Sequence, residues 1–270
     1  MKAKIFQIFY DQLSKEKNLC GFIPIDNSQS ERPDWYEFWV ILNFLRNNTL
    51  QDNTFYGFLS PKFFEKTNLD SNFIFNFISN SEKFDVALFS PGWDQIAYFQ
   101  NAFEQGEVWH PGLINTTQNF LKTYNYDINL NKLVSDSLST VFSNYVIAKK
   151  EYWVQWKIFA EFLFEYFEKN YSIDIMTNYS TSIKNFPMKV FIQERLSTLV
   201  LSSCNFKVIT VDNSFSSPIF DRIFPNNLYT RKLLQTCDLM KIKYRETLDE
   251  EFIKMYWKIR SDISFFGANY

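Results

Sequence analysis

Two apolar runs near the start of the chain, KIFQIFYDQ and TFYGFLSPKF, stand either side of a polar loop and a segment of helical spacing. This unit limits the fold more than any other feature. The first run ends at Asp11, as a buried strand does when its carboxyl end meets solvent. Between the runs, DWYEFWVILNFLRNN repeats Trp35, Phe38, Trp39, Leu42 and Leu45 at helical spacing, and Asp34 is placed to cap that helix after Pro33. The second run is halted by Ser60-Pro61. Strand, loop, helix and strand in that order begin an α/β domain.

The rest of the chain continues the pattern. NFIFNFISN reads as a helix, and KFDVALFSPGWDQ as a buried strand ended by a Ser90-Pro91-Gly92 turn. DQIAYFQNAFEQ and PGLINTTQNFLKTY read as helices flanking a loop with Trp109 and His110, and STVFSNYVIAK as a strand carrying Ser143, Asn144 and Tyr145. KKEYWVQWKIFAEFLFEYFEKN is a long helix, apolar on more than one face and therefore deeply packed. MKVFIQERLSTLVLSS reads as one further helix and FKVITVDN as a late strand, before a charged, helical tail. The organisation expected is one domain over 1–226 with a helical extension over 227–270 packed on it.

Composition narrows the function classes. A chain of 270 residues that is 46% hydrophobic is long enough for a sizeable core and too apolar for intrinsic disorder. Its 28 basic and 30 acidic side chains give no electrostatic reason to expect a nucleic-acid partner. A single histidine, His110, excludes a His-rich metal centre, and three scattered cysteines form neither a disulfide framework nor a zinc ribbon. The expected location is the cytoplasm. No run approaches a membrane span, and the N-terminal run, broken by Gln7 and Asp11, reads as a strand and not a signal peptide. Aromatic residues make up 20% of the chain. An AT-rich genome accounts for most of that excess. The remainder suits stacking on sugars or peripheral contact with the inner face of a membrane.

Standard motif searches return no GxGxxG, P-loop or GxSxG element. Three segments nevertheless resemble, in order and spacing, elements of small bacterial glycosyltransferase-like proteins from capsule and lipopolysaccharide clusters. They are IDNSQSERPDWYEFWVILNFLRNNTLQDNTFYGFLSPKF, TVFSNYVIAKKEYWVQW and MKVFIQERLSTLVL. The resemblance implies a GT-A-type, Rossmann-like fold with a mixed central sheet, binding a nucleotide sugar at the carboxyl ends of its strands. It also implies transfer of the sugar to a glycan or lipid-linked acceptor in surface-polysaccharide assembly. The alternative is a catalytically inactive nucleotide- or sugar-binding module, or an interaction subunit of an assembly complex.

One departure matters. Many members of that fold carry Asp-x-Asp after the strand written here FYGFL, where this chain has Ser60-Pro61-Lys62. Carboxylates there recruit Mn²⁺ or Mg²⁺ against the leaving diphosphate. A lysine supplies part of that charge directly, so Ser60 and Lys62, with Arg195 or a tail cation, are assigned to the donor in place of a required metal, the alternatives being a solvated loop lysine at 62 and a bound Mn²⁺ or Mg²⁺. Glu194, a charge inside an otherwise apolar segment, is the candidate general base, or else half of a buried ion pair. Asp11, Asp26 and Asn27 are candidates for the nucleotide, or turn and capping residues. Trp109, His110, Asn144 and Tyr145 are candidates for the acceptor, with Trp109 offering a stacking face.

Overall fold

The computed structural model describes residues 2–170, 176–178 and 185–267. In chain order its strands are β1 (Lys2–Phe9), β2 (Ile23–Asp26), β3 (Thr54–Leu59), β4 (Val86–Leu88), β5 (Val146–Lys149), β6 (Met176–Asn178), β7 (Asn185–Pro187) and β8 (Val208–Thr210). Six of them form one sheet in the order β2-β1-β3-β5-β4-β8, and β6 pairs with β7 in a separate antiparallel ribbon. β1 runs parallel to both β2 and β3, β5 runs antiparallel to β3 and β4, and β8 is parallel to β4. The chain is therefore α/β with a mixed sheet.

β3 explains why the apolar run TFYGFL lacks alternation: all six residues are buried because helices cover both faces. Gly57 is required there, since a Cβ would lie 2.7 Å from Ile147 Cγ1 of β5. One face of the sheet carries α2 (Tyr36–Asn47) and α8 (Lys150–Lys169). Their Phe38, Trp153 and Trp156, with Trp35 just before α2, pack with Phe6 and Phe58 of the sheet, each large side chain contributing about 2–3 kcal/mol. The Trp153 indole donates to the Tyr56 carbonyl at 3.0 Å, fixing α8 on β3. On the other face, α3 (Phe63–Thr67) and α4 (Ser71–Asn80) bury Phe63, Ile74 and Ile78 against Ile5, Phe55 and Ile147.

A third cluster joins α5 (Trp93–Tyr98) to α11 (Leu228–Thr247) and α12 (Glu250–Ser261). Trp93, Ala97 and Tyr98 meet Leu234, Cys237 and Tyr256 there, so the tail helices pack on the same body. The remaining helices are α1 (Gln12–Glu16), α6 (Ala102–Trp109), α7 (Leu113–Thr123), α9 (Met188–Gln193) and α10 (Leu196–Ser203). Among the described residues, no helix is long and apolar enough to cross a membrane.

Four local expectations are corrected. Asp34 does not cap α2: it sits in a 3-10 turn over Pro33–Trp35 and pairs with Arg32 and Lys189, both at 2.8 Å. DQIAYFQNAFEQ divides into α5 and α6, because the Asn101 side chain accepts from the amides of Phe103 and Glu104 and starts a new helix. Trp109 accordingly ends α6 and does not lie in a loop. STVFSNYVIAK is strand only from Val146; Ser143 and Asn144 before it take left-handed φ of 59° and 52°.

The fourth correction concerns MKVFIQERLSTLVLSS, which breaks into α9 and α10 at Glu194-Arg195. In a continuous helix the Arg195 amide would bond the Phe191 carbonyl. It bonds Ile192 instead at 3.0 Å, and the Arg195 guanidinium takes the Phe191 carbonyl at 2.7 Å. The Asn144 amide takes the Gln193 carbonyl at 3.0 Å. Side chains thus satisfy the carbonyls that the break exposes.

Candidate functional site

After β1 the chain crosses to β2 on one side and then to β3 on the other. In open α/β sheets a crevice forms at the carboxyl ends of strands that diverge in this way. A cavity of about 420 Å³ opens there, lined by Tyr10 just beyond β1, Ser60 and Lys62 just beyond β3, and Ser143 and Asn144 just before β5. A second chamber of about 330 Å³ opens farther along the same edge, beside Pro91 and Gly92 beyond β4. Lys66, Phe191 and Glu194 line both, so the two chambers form one divided cleft.

The helix break places Glu194 at this division. As the residue that ends α9 it is only partly buried, while its neighbours Gln193 and Arg195 are buried. Its carboxylate has no hydrogen bond or ion pair among the described residues. Lys62 likewise has no hydrogen-bonded or ion-paired partner for its ammonium among them. Lys66 donates to Ser143 Oγ at 2.9 Å and lies 5.9 Å from the centre of the Tyr145 ring.

Sequence reasoning missed three polar residues of the first chamber besides Lys66. Glu37 is partly buried in its wall. Burial, with help from the charge of Glu194, pushes its pKa up against the opposing pull of its own backbone amide and of Lys66 and Lys62. Gln193 is 4% exposed, and its amide oxygen accepts no hydrogen bond among the described residues. That oxygen is itself closed to solvent, an orphaned acceptor that a ligand hydroxyl or N–H meets only if the side chain turns toward the chamber. Tyr36 combines φ 48° with ψ −137°, a conformation bulky residues avoid. Among the described residues, three of the seven non-glycine residues with positive φ, Tyr36, Ser143 and Asn144, line this one chamber, so backbone strain is concentrated at the cleft. The sequence signal for Glu37 was a lone acid within the aromatic stretch WYEFW.

The second chamber is held by a polar network on α6. The Arg195 guanidinium donates to the Ala102 carbonyl at 2.8 Å and to Gln105 Oε1 at 2.6 Å. Burial depresses its pKa to about 10, offset in part by the charge of Glu194. Gly106 admits it: a Cβ there would lie 2.8 Å from Arg195 Nε. Glu107 caps the start of α7, accepting from the amides of Gly112 and Ile114, both at 2.7 Å. This cap fixes the turn that carries Trp109 and His110 into the chamber wall, where the His110 ring stacks on Phe191 with centroids 3.5 Å apart.

Of the other sequence candidates, Asp11, Asp26, Asn27 and Tyr145 fall outside the cleft lining, while Ser60 and Asn144 line its first chamber. Asp11 caps α1, accepting from the Ser14 amide at 2.6 Å, and hydrogen bonds from Ser14 lower its pKa. Asp26 accepts from the Ser28 amide at 2.8 Å. Asp26 and Asn27 line a separate groove on the opposite side of α2, beside Trp39 and Asn43, which shares no lining residue with the cleft. Ser60 Oγ and the buried Tyr145 hydroxyl bond each other at 2.7 Å, and burial raises the Tyr145 pKa. Asn144 also accepts from Ser197 Oγ at 2.8 Å, so both ends of its amide are engaged. Of the tail cations, Arg231 holds the Ser214 and Ser217 carbonyls and Lys241 is buried beneath α5.

Compared with known protein families, curated proteins and solved structures, the chain matches none. The chemistry of the cleft has to carry the functional reading.

Proposed function

We propose that the chain is a glycosyltransferase of GT-A-like build, moving a sugar from a nucleotide-sugar donor in the first chamber to a glycan or lipid-linked acceptor in the second. The observation that carries this reading is Glu194, a carboxylate without a partner among the described residues on the wall common to both chambers, with Lys62 on the donor side and Lys66 beside it on the shared wall. A reacting pair bound across that wall would meet where the base stands, which is what positioning a bimolecular transfer requires.

In the proposed step Glu194 takes the proton of the acceptor hydroxyl as its oxygen bonds to the anomeric carbon. The bond from that carbon to the diphosphate oxygen breaks, and the electron pair leaves on the diphosphate. Lys62 and Lys66 balance the charge that develops there. Gln193 accepts from a donor hydroxyl or imide N–H. Glu37, its pKa raised, donates a hydrogen bond when protonated. The Asp-x-Asp cation of related folds does not fit this corner, where the strand end supplies Ser60, Pro61 and Lys62 and two ammonium groups share the chamber with the carboxylates.

The test is thermal-shift screening with UDP-, GDP-, CMP- and TDP-sugars, followed by donor hydrolysis with and without EDTA. At least one donor is expected to raise Tm and to be turned over in EDTA. Protection without turnover identifies a binding module instead. Turnover abolished by EDTA overturns the role given to Lys62.

A further inference from the structure

Arg195 is a buried cation without a matching anion. Only 4% of its surface is exposed, and its hydrogen bonds go to the carbonyls of Ala102 and Phe191 and to the Gln105 amide oxygen, all neutral acceptors. No carboxylate lies within ion-pair distance of it among the described residues. A guanidinium has five N–H donors, so these three bonds leave two over, on a side chain that lines the second chamber. Burying a charge is unfavourable unless an opposite charge or a full set of hydrogen bonds compensates it. The fold nonetheless holds this one firmly, placing Gly106 where any side chain would collide with the guanidinium.

The surroundings add to the deficit. Lys66 and Arg222 line the same chamber, and the one carboxylate on its wall is Glu194. Lys66 and Glu194, both shared with the first chamber, offset each other, and Arg195 and Arg222, which line this chamber alone, leave two positive charges, the complement of a phosphate monoester. Trp109, Phe142 and Phe220 supply flat apolar walls beside them, suited to the face of a sugar ring.

We propose that the second chamber is an anion subsite that grips a phosphate group carried by the acceptor, with Arg195 as the fixed fork and Arg222 closing on it from the rim. Guanidinium groups recognise phosphate oxygens by paired hydrogen bonds. The word acceptor rests on the transferase reading; the anion subsite itself does not.

The experiment is a thermal-shift titration of the full chain with glucose, glucuronate, glucose 6-phosphate and inorganic phosphate, repeated with saturating UDP, GDP or TDP. Glucose 6-phosphate is expected to raise Tm by about 2–4 °C at ten times its Kd, glucuronate less and glucose not at all. The shift is expected to persist beside a bound nucleotide. Arg222→Gln, on an exposed side chain, should weaken glucose 6-phosphate about tenfold and leave nucleotide affinity unchanged. Gly106→Ala, which displaces the guanidinium, should weaken it further.

Equal response to glucose, or no response to any phosphorylated probe, overturns the proposal. So does loss of the glucose 6-phosphate shift once nucleotide is bound, which would make this chamber the seat of the donor diphosphate. Phosphate binding without any nucleotide binding would sink the transferase reading and leave the subsite standing. Nucleotide-sugar turnover with no response to glucose 6-phosphate would do the reverse.

Discussion

Lys241 and Arg195 are both buried cations, yet the molecule completes one and leaves the other open. Lys241, fully buried on α11, directs its ammonium to the carbonyls of Ile96, Phe99 and Ser135, and those three bonds exhaust its donors. Asp238 and Asp136 stand near it, and Arg245 in turn pairs with Asp136 at 2.9 Å. Around the cleft the accounting is unfinished. Arg195 has donors to spare, the Gln193 amide oxygen accepts nothing among the described residues, and Lys62 and Glu194 stand without paired partners there. The donors of Lys241 are all used within the chain, whereas the groups around the cleft keep capacity that a ligand could take up, as the proposed function requires.

The sharpest way to break that contrast is to remove each kind of cation in turn. Lys241→Met leaves three buried carbonyls without that donor and the buried Asp238 without its nearby cation. It should destabilise the fold by about 3–5 kcal/mol, a fall in Tm of about 5–9 °C, read by urea unfolding and calorimetry. Lys62→Met, by contrast, should change stability by no more than about 0.5 kcal/mol. Equal losses in the two variants would remove the distinction between structural and functional charge.

Next in size is the carboxylate at the division of the cleft. Glu194→Gln keeps the shape and removes the base, so turnover should fall about 100-fold, about 2.7 kcal/mol of barrier. Donor-induced thermal shifts should stay as in the parent. If unfolding accompanies the loss, Glu194 belongs with Lys241 and not with Lys62. The open acceptor on Gln193 gives a smaller effect: Gln193→Leu should weaken the donor about tenfold without lowering Tm, since no internal hydrogen bond to its amide oxygen is lost.

The same contrast explains what could be read from the sequence. Strands β1, β3 and β4 and helices α2 and α8 follow from apolar runs and helical spacing, because burial of whole faces dictates both. The apolar spacing of MKVFIQERLSTLVLSS continues unbroken through Glu194, so nothing local announces the break. Two side chains create it, Arg195 reaching back to Phe191 and Asn144 reaching from 49 residues away to Gln193. Ser60, Lys62, Glu194, Trp109 and His110 do reach one cleft. Glu37 and Lys66 were invisible because a charged residue on an amphipathic helix looks solvated until the sheet edge beside it is known. Asp26 and Asn27 sit on the wrong side of α2 for this cleft, a fact of helix phase relative to the sheet that no loop sequence contains.

Two carboxylates on the approach to α2 turn the contrast into a pH experiment of smaller amplitude. Asp34 has partners: burial works against its charged form, but hydrogen bonds from Arg32 and Lys189 prevail and hold its pKa at about 2, below the usual 3.8. The stability it adds is complete above 3.8 and is lost as pH falls toward 2. Glu37 receives no such side-chain bonds among the described residues, and burial, joined by repulsion from Glu194, outweighs the pull of its own backbone amide and raises its pKa above the usual 4.5. The folded chain therefore keeps a proton that the unfolded chain has released, and stability declines as pH rises from 4.5 through the raised value. Glu37→Gln should remove that decline, gaining on the parent by on the order of 1 kcal/mol or less above the window and matching it below pH 4. Asp34→Asn should lose stability at neutral pH and match the parent only at the acid end. Variants that shift the pH profile in the same direction would mean that both acids are structural, and Glu37 would leave the list of groups that face a ligand.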